Sequence, residues 1–126
     1  MGEYRYDARR HPPAPVLPIR LGHPNTEPAL VLTALVETGA DATVIPADVA
    51  AQLRLPQVDE MWIRGVGGFT QRASIHSAVV EVAGFRDALH VIALGEETLV
   101  GRDLLNRWVA TLDGPRGLMK IQGPKP

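Results

Sequence analysis

Two acidic residues lie four positions apart between two apolar runs of the chain. Glu37 and Asp41 flank Thr38, Gly39 and Ala40, so that the segment reads Glu-Thr-Gly-Ala-Asp. Carboxylates between hydrophobic segments are costly unless they have a partner or a chemical task. A carboxylate can activate water as a general base, and a second, protonated carboxyl can act as the acid when a peptide bond is hydrolysed. Glu37, at the end of the first apolar run, is therefore the candidate catalytic acid.

The composition limits the classes of protein to consider. A chain of 126 residues is long enough for one domain with a modest core. It has no cysteine, which excludes disulfides, thiolate metal sites and cysteine nucleophiles. A formal net charge of −1 gives no reason to expect nucleic acid or a membrane as a partner. Because the sequence shows no signal peptide and no transmembrane segment, we expect a cytoplasmic protein.

The hydrophobic pattern predicts many short strands joined by tight turns. The 11 prolines and 12 glycines punctuate segments rich in Val, Ile and Leu, which favours a β-sheet fold. We expect strands near residues 16–21, 29–36, 43–46, 58–66, 69–82, 89–94, 98–101, 108–112 and 118–121, and short helices near 46–53 and 102–108. The second of these strands is almost continuously apolar, which predicts burial on both faces. Residues 1–14 predict a flexible arm, residues 15–122 the folded domain and residues 123–126 a tail.

Three motifs, in order, give the sequence a family resemblance. The segment 37–41 resembles the Asp-Thr-Gly-Ala-Asp catalytic loop of the retropepsin-like aspartic proteases. Gly65-Val66-Gly67-Gly68 resembles the glycine-rich tip of their flap. Residues 99–105, which read Leu-Val-Gly-Arg-Asp-Leu-Leu, resemble the segment before their C-terminal helix. The resemblance covers roughly residues 15–122.

The resemblance implies an all-β fold: a closed barrel of the retropepsin-like acid protease type, with one or two short helices, in a homodimer. Glu37, Thr38 and Gly39 would form the catalytic loop, and the second carboxyl would come from another copy across a two-fold axis. The substrate would be an extended peptide or protein, bound by Ala40 and Asp41 and by a flap containing Val66, Gly67 and Gly68. Arg102 and Asp103 would support the loop, Arg102 by pairing with Asp41. The terminal strands, residues 16–21 and 118–121, would interleave with those of the partner. No cofactor or metal is implied.

Glu37 is the departure from the family pattern, because the family carries Asp at this position. Its side chain is one methylene longer, and displacing a catalytic group by about 1 Å can cost on the order of a hundredfold in rate. Two functions therefore stand side by side. One is an aspartic endopeptidase with an activity reduced by Glu37. The other is a weak or inactive peptide-binding dimer with the same fold, whether the glutamate is natural or introduced.

Each motif also has a purely structural interpretation. Glu37 alone could cap a turn at a strand end, residues 65–68 could be an ordinary glycine hairpin, and Asp103 could simply favour a first helical turn. The four histidines are scattered without metal-ligand spacing. Ser74 and Ser77 lie near His76, but no Gly-x-Ser-x-Gly elbow supports a serine hydrolase. The glycine-rich segment also lacks the sequence that follows a phosphate-binding loop.

Overall fold

Within residues 2–123, the part of the chain that the computed structural model describes, there are ten strands and two short helices. The strands are β1 Gly2–Arg5, β2 Val16–Gly22, β3 Leu30–Val36, β4 Val44–Ile45, β5 Gln57–Arg64, β6 Thr70–Val82, β7 Phe85–Ala93, β8 Leu99–Val100, β9 Val109–Asp113 and β10 Leu118–Gln122. The helices are α1 Ala47–Gln52 and α2 Arg102–Leu105. The predicted second helix is shorter than expected.

Six strands close into a barrel, which confirms the predicted all-β class and barrel architecture. The order around the barrel is β2-β3-β8-β4-β7-β6, and antiparallel pairing of β2 with β6 closes the ring. The pairs β3–β8 and β4–β7 are parallel. Because β3 and β8 run side by side in the same direction, the segments that follow them leave the barrel at neighbouring points. These two segments carry the first and third sequence motifs.

The barrel interior is filled by alternate residues of its strands, as the two-residue period of a strand requires. Fully or almost fully buried side chains include Leu17, Ile19 and Leu21 of β2 and Ala78, Val80 and Val82 of β6. The expectation that residues 29–36 are buried on both faces is wrong. Only Ala34 of β3 is buried, and Val31 is 56% exposed. The outer face of β3 meets solvent because no layer of the described structure covers it.

The two long strands β5 and β6 form the predicted hairpin, and among the strands of residues 2–123 only β6 pairs with β5. At its tip, the amide of Gly68 donates to the carbonyl of Gly65 at 3.2 Å. Gly67 has a φ of +88° and Gly68 a φ of +81°. Residues with a Cβ atom adopt such values only with strain. The glycines at the tip are therefore explained by the turn itself.

A small second sheet, in the order β1-β10-β9, packs beside the barrel. Met119 and Ile121 of β10 are buried and join the barrel core. The expectation of a flexible arm differs from the structure, since Gly2–Arg5 pairs with Leu118–Ile121 and Tyr4 packs against the core. The alternation of Tyr4 with charged neighbours is the short pattern that the sequence analysis missed. Of the predicted tail, residues 124–126 lie outside the described part.

Candidate active site

Glu37 lies immediately after β3, where the sequence predicts it. Its amide donates to the carbonyl of Val100 at 3.0 Å, which continues the parallel pairing of β3 with β8 by one residue. The half-buried side chain turns back on its own loop, and its Oε1 accepts a hydrogen bond from the amide of Gly39 at 2.9 Å. A turn bond from the amide of Ala40 to the carbonyl of Glu37, at 3.3 Å, closes the loop. The carboxyl group is thus held by the backbone of the loop that carries it.

Two glycines allow this loop to pack as it does. A Cβ atom at Gly39 would lie 3.0 Å from Oε1 of Glu37, so a side chain would press on the carboxyl group. A Cβ atom at Gly101 would lie 2.5 Å from the carbonyl oxygen of Ala42, which is closer than atoms of this kind approach. Gly101 belongs to the third motif. A glycine is therefore required at this position, because the two segments that leave the barrel together are in close contact there.

Arg102 supports the loop from the start of α2, as the resemblance implies. Its guanidinium donates to the carbonyl of Thr38 at 2.7 Å and forms an ion pair with Asp41. Its backbone amide donates to the carbonyl of Ala40 at 2.9 Å. The planar fork of an arginine suits this simultaneous grip on a carbonyl and a carboxylate. The carboxylate of Asp41 remains 89% exposed, so part of it stays accessible to a ligand.

Asp103 has a different partner, which the sequence analysis missed. Its carboxylate accepts the hydroxyl of Thr43 at 2.8 Å and the amide of Thr43 at 3.0 Å. Thr43 is fully buried, and its hydroxyl oxygen accepts a longer bond of 3.4 Å from the amide of Gly101. This network joins the first motif to the third. A threonine in a short apolar strand carries no sequence signal for such a role.

A groove of about 710 Å³ runs between the loop and the β5–β6 hairpin. Residues 39–42 line one side of it, and side chains from the hairpin line another. The lining is mainly apolar, with Val44, Val58, Met61, Ile63, Ile75, Ile92, Leu94 and Leu99, and it includes the polar residues Asp41, Asp59, Arg64 and His90. The predicted flap residues Val66, Gly67 and Gly68 do not line this groove. They form the hairpin tip beyond it, where Val66 is fully exposed.

Other polar groups that the sequence analysis considered lie elsewhere. His76 Nε2 and the Ser74 hydroxyl are 2.9 Å apart, and His76 Nδ1 is 2.9 Å from the carbonyl of Leu55. Because a carbonyl only accepts, Nδ1 carries a proton and donates it to Leu55, and Nε2 forms a hydrogen bond with the serine hydroxyl. Neither residue lines the groove, so this pair connects the segment after α1 to β6.

Residues 2–123 also lack a metal-binding cluster and a long apolar helix. These residues contain no group of three or more His, Asp or Glu side chains placed to hold a metal ion. The helices formed by the same residues are too short to cross a membrane.

The model of the retroviral aspartyl protease family matches residues 11–113. The chain therefore belongs to the retroviral aspartyl protease family. The match includes residues 37–41, the β5–β6 hairpin and the segment around Gly101. No protein of curated function matches the chain.

Solved structures of related folds agree with this assignment. A retropepsin-like aspartic protease from Rickettsia conorii has a TM-score of 0.61 and 20% identity, covering 94% of this chain and 98% of that one. The EIAV protease complexed with the inhibitor HBY-793 has a TM-score of 0.56 and 22% identity, covering 82% and 92%. The retroviral protease-like domain of Ddi1 from Leishmania major has a TM-score of 0.54 and 23% identity, covering 86% and 87%. At these identities, the likeness establishes the fold.

Proposed function

We propose that this protein is an aspartic endopeptidase of the retropepsin type, which hydrolyses peptide bonds in extended polypeptides. The water would be activated by two Glu37 carboxyl groups, one from each copy in a homodimer. The observation that carries the proposal is the Glu37 carboxyl group, held by the amide of Gly39, a residue that lines an open, largely apolar groove. A carboxyl group fixed by backbone bonds beside such a groove is oriented for chemistry before a substrate arrives.

The mechanism follows from the pairing of two like charges. Two carboxylates about 3 Å apart cannot both ionise, so the pair shares one proton and titrates as a unit. The ionised member removes a proton from the water as it attacks the scissile carbonyl carbon. The protonated member donates to the carbonyl oxygen, and the pair then protonates the leaving amine. This use of a carboxyl dyad is well known for aspartic proteases.

The groove fits a peptide in an extended conformation. Its apolar side chains would receive alternate side chains of the substrate, while Asp41 would accept hydrogen bonds from the substrate backbone. The hairpin with Val66, Gly67 and Gly68 at its tip would close over the bound peptide and exclude water. Thr38 and Gly39 would complete the floor at the dimer axis. Arg102 and Asp103 act on the substrate only through the loop that they hold.

A test of this proposal compares the protein with Glu37→Asp and Glu37→Gln on casein from acid to neutral pH, with and without pepstatin. We expect pepstatin-sensitive cleavage by the native protein and by Glu37→Asp. We expect no cleavage by Glu37→Gln, whose side chain has the same shape as glutamate but cannot ionise. Glu37→Asp is expected to be faster by up to about a hundredfold, because it restores the shorter arm.

The outcomes separate the two functions. Cleavage by Glu37→Asp alone would mean that the native chain is the weak or inactive peptide-binding dimer. If neither the native protein nor Glu37→Asp cleaves casein while both are folded dimers, the endopeptidase assignment is contradicted.

A further inference from the structure

Asp59 is an acidic residue of β5 on the apolar wall of the groove. It lies opposite Ile75 of β6, and Ile75 lies opposite Ile92 of β7. Residues directly opposite each other on neighbouring strands share one face of a sheet. Because Ile75 and Ile92 also line the groove, this row belongs to the face that the sheet turns toward a ligand. A carboxylate therefore ends a row of two apolar side chains on the groove wall.

The charge of Asp59 is not neutralised within the part of the chain that the structure describes. There, no basic side chain forms an ion pair with it, and its Oδ1 accepts only the backbone amide of Glu60, at 2.8 Å. The neighbouring Glu60 is different, because its carboxylate pairs with Arg72 at 2.9 Å and accepts the side-chain amide of Gln57 at 3.3 Å. Asp59 is thus an exposed carboxylate whose Oδ2 is available to a ligand.

The other charged side chains of the groove give it a polarity. The charge of Asp41 is already offset by the guanidinium of Arg102. Arg64 also lines the groove and has no acidic partner within residues 2–123. It lies five residues beyond Asp59 on β5, which is about 16 Å in an extended strand. A cation in the groove is therefore attracted at the Asp59 end and repelled at the Arg64 end.

We propose that Asp59 determines substrate specificity by selecting peptides with a Lys or Arg side chain at the position that it faces. The inference rests on the proposed function, because it names the substrate class of the same groove. Both parts of a basic side chain fit this wall. The aliphatic stem packs on Ile75 and Met61, and the cationic head reaches Oδ2 of Asp59. An apolar side chain there would cover the carboxylate without giving it a partner, and an acidic one would be repelled.

The two-fold symmetry of the proposed dimer doubles this preference. Each copy contributes one Asp59, so the two carboxylates lie on opposite sides of the axis that passes between the Glu37 side chains. An extended peptide bound across the axis meets one of them in each half. The preferred substrate therefore carries a basic residue on both sides of the bond that is cut.

The experiment measures binding separately from cleavage. Binding to Glu37→Gln, which keeps the groove and is expected not to cut, is followed by fluorescence anisotropy. The probes are nonapeptides with blocked termini, built from Val, Leu and Ser, in which Lys, Met or Glu replaces each residue in turn. At one position in each half, we expect Lys to bind at least about threefold tighter than Met, and Glu to bind more weakly than Met. The preference should weaken as salt is added.

Three variants, all made in the Glu37→Gln background, assign the preference to one carboxylate. Asp59→Asn removes the charge and keeps an oxygen for the Glu60 amide, so the Lys preference should vanish without loss of the fold. Asp59→Lys should turn the preference toward Glu. The matched control is Glu60→Gln, which makes the same charge change on the next residue, outside the groove lining, and should keep the Lys preference. Circular dichroism verifies folding.

Each outcome bears on the proposal. Equal binding of the Lys and Met probes at every position would overturn it, and so would a Lys preference that survives Asp59→Asn or is lost equally in Glu60→Gln. Cleavage of the same probes by the native protein or Glu37→Asp keeps the two proposals apart. Cleavage without a Lys preference would overturn the role of Asp59 and leave the endopeptidase intact. A Lys preference in binding, without cleavage by either protein, would leave that role intact and contradict the endopeptidase.

Discussion

At the scale of single residues, the site depends as much on Thr43 as on the motif that reveals it. Glu37, Gly39 and Asp41 could be read from the sequence because an acid, a glycine and a second acid between apolar runs is an unusual pattern. Thr43 could not, because its partner Asp103 is 60 residues away and the contact exists only after β3 and β8 have paired. The Thr43 hydroxyl and amide donate to the two carboxylate oxygens of Asp103. Because Asp103 lies in the first turn of α2, a displaced Asp103 would shift the start of this helix.

Thr43→Val should destabilise the fold and leave the shape of the side chain nearly unchanged. The substitution removes the hydroxyl that donates to Asp103, and a hydrogen bond to a charged group contributes roughly 1.5–3 kcal/mol, while the Leu104 amide still donates to the same carboxylate oxygen. Urea unfolding measures the loss, with Thr33→Val on the exposed face of β3 as the control. Thr43→Ser keeps the hydroxyl and should recover part of the stability. Equal stability of Thr43→Val and the native protein would show that the network contributes little.

At the scale of elements, the N-terminal arm shows where sequence patterns fail. Residues 1–14 contain few apolar side chains, so burial of the arm could not be expected from composition. In the structure, β1 covers one edge of β10, and the Tyr6 amide donates to the carbonyl of Gly117 at 2.8 Å. Arg10 forms an ion pair with Glu97 in the turn that leads to β8. The arm is a strand because the C-terminal strand offers it a partner, and that pairing is not local.

Deletion of residues 1–14 separates the two interpretations of the arm. A flexible arm could be lost without consequence, whereas loss of β1 would uncover Met119 and Ile121 and unpair one side of β10. We expect a loss of stability on the order of 2–4 kcal/mol in urea unfolding. A control with Glu96→Gln, an exposed position outside the arm, should unfold like the native chain. An unchanged midpoint after the longer deletion would contradict the pairing of β1.

The junction between α2 and β9 should make stability depend on pH. The hydrogen bond from the Arg107 guanidinium, with help from the Ala88 amide, holds the pKa of Asp87 below its ordinary value of 3.8. A lowered folded-state pKa stabilises the fold above the unfolded pKa, and this stabilisation is lost as the pH falls through the folded pKa. Asp87→Asn should therefore lower Tm slightly at pH 7, with the difference from the native protein vanishing well below pH 3.8. Glu96→Gln, which changes another exposed acid, controls for net charge. A Tm difference that persists at the acid end would contradict this assignment.

At the scale of the whole molecule, the hydrophobic pattern predicted most strand positions and the family resemblance implied the barrel, but neither predicted the way the sheets are assembled. Alternation and glycine turns are local, so β2, the β5–β6 hairpin and α1 were found close to their real bounds. Strand order depends on long-range pairing, which is why the closure between β2 and β6 and the central position of β10 became visible only in three dimensions. The same pairing leaves β1, β5 and β9 at the edges of the sheets that the described residues form.

The proposed sharing of the site between two copies makes one prediction about mixtures of active and inactive chains. In a dimer that needs both Glu37 carboxyl groups, a copy with Glu37→Gln inactivates any partner that it joins. At a fixed amount of the active chain, the native protein or Glu37→Asp, a ninefold excess of Glu37→Gln should leave about one tenth of the casein cleavage, because random pairing places about nine in ten active chains in mixed dimers. The matched control adds the same excess of an unrelated folded protein of similar size, which cannot join the active chain and should leave the rate unchanged. A rate that is unaffected by the simple Glu37→Gln chain would mean that one copy holds a complete site.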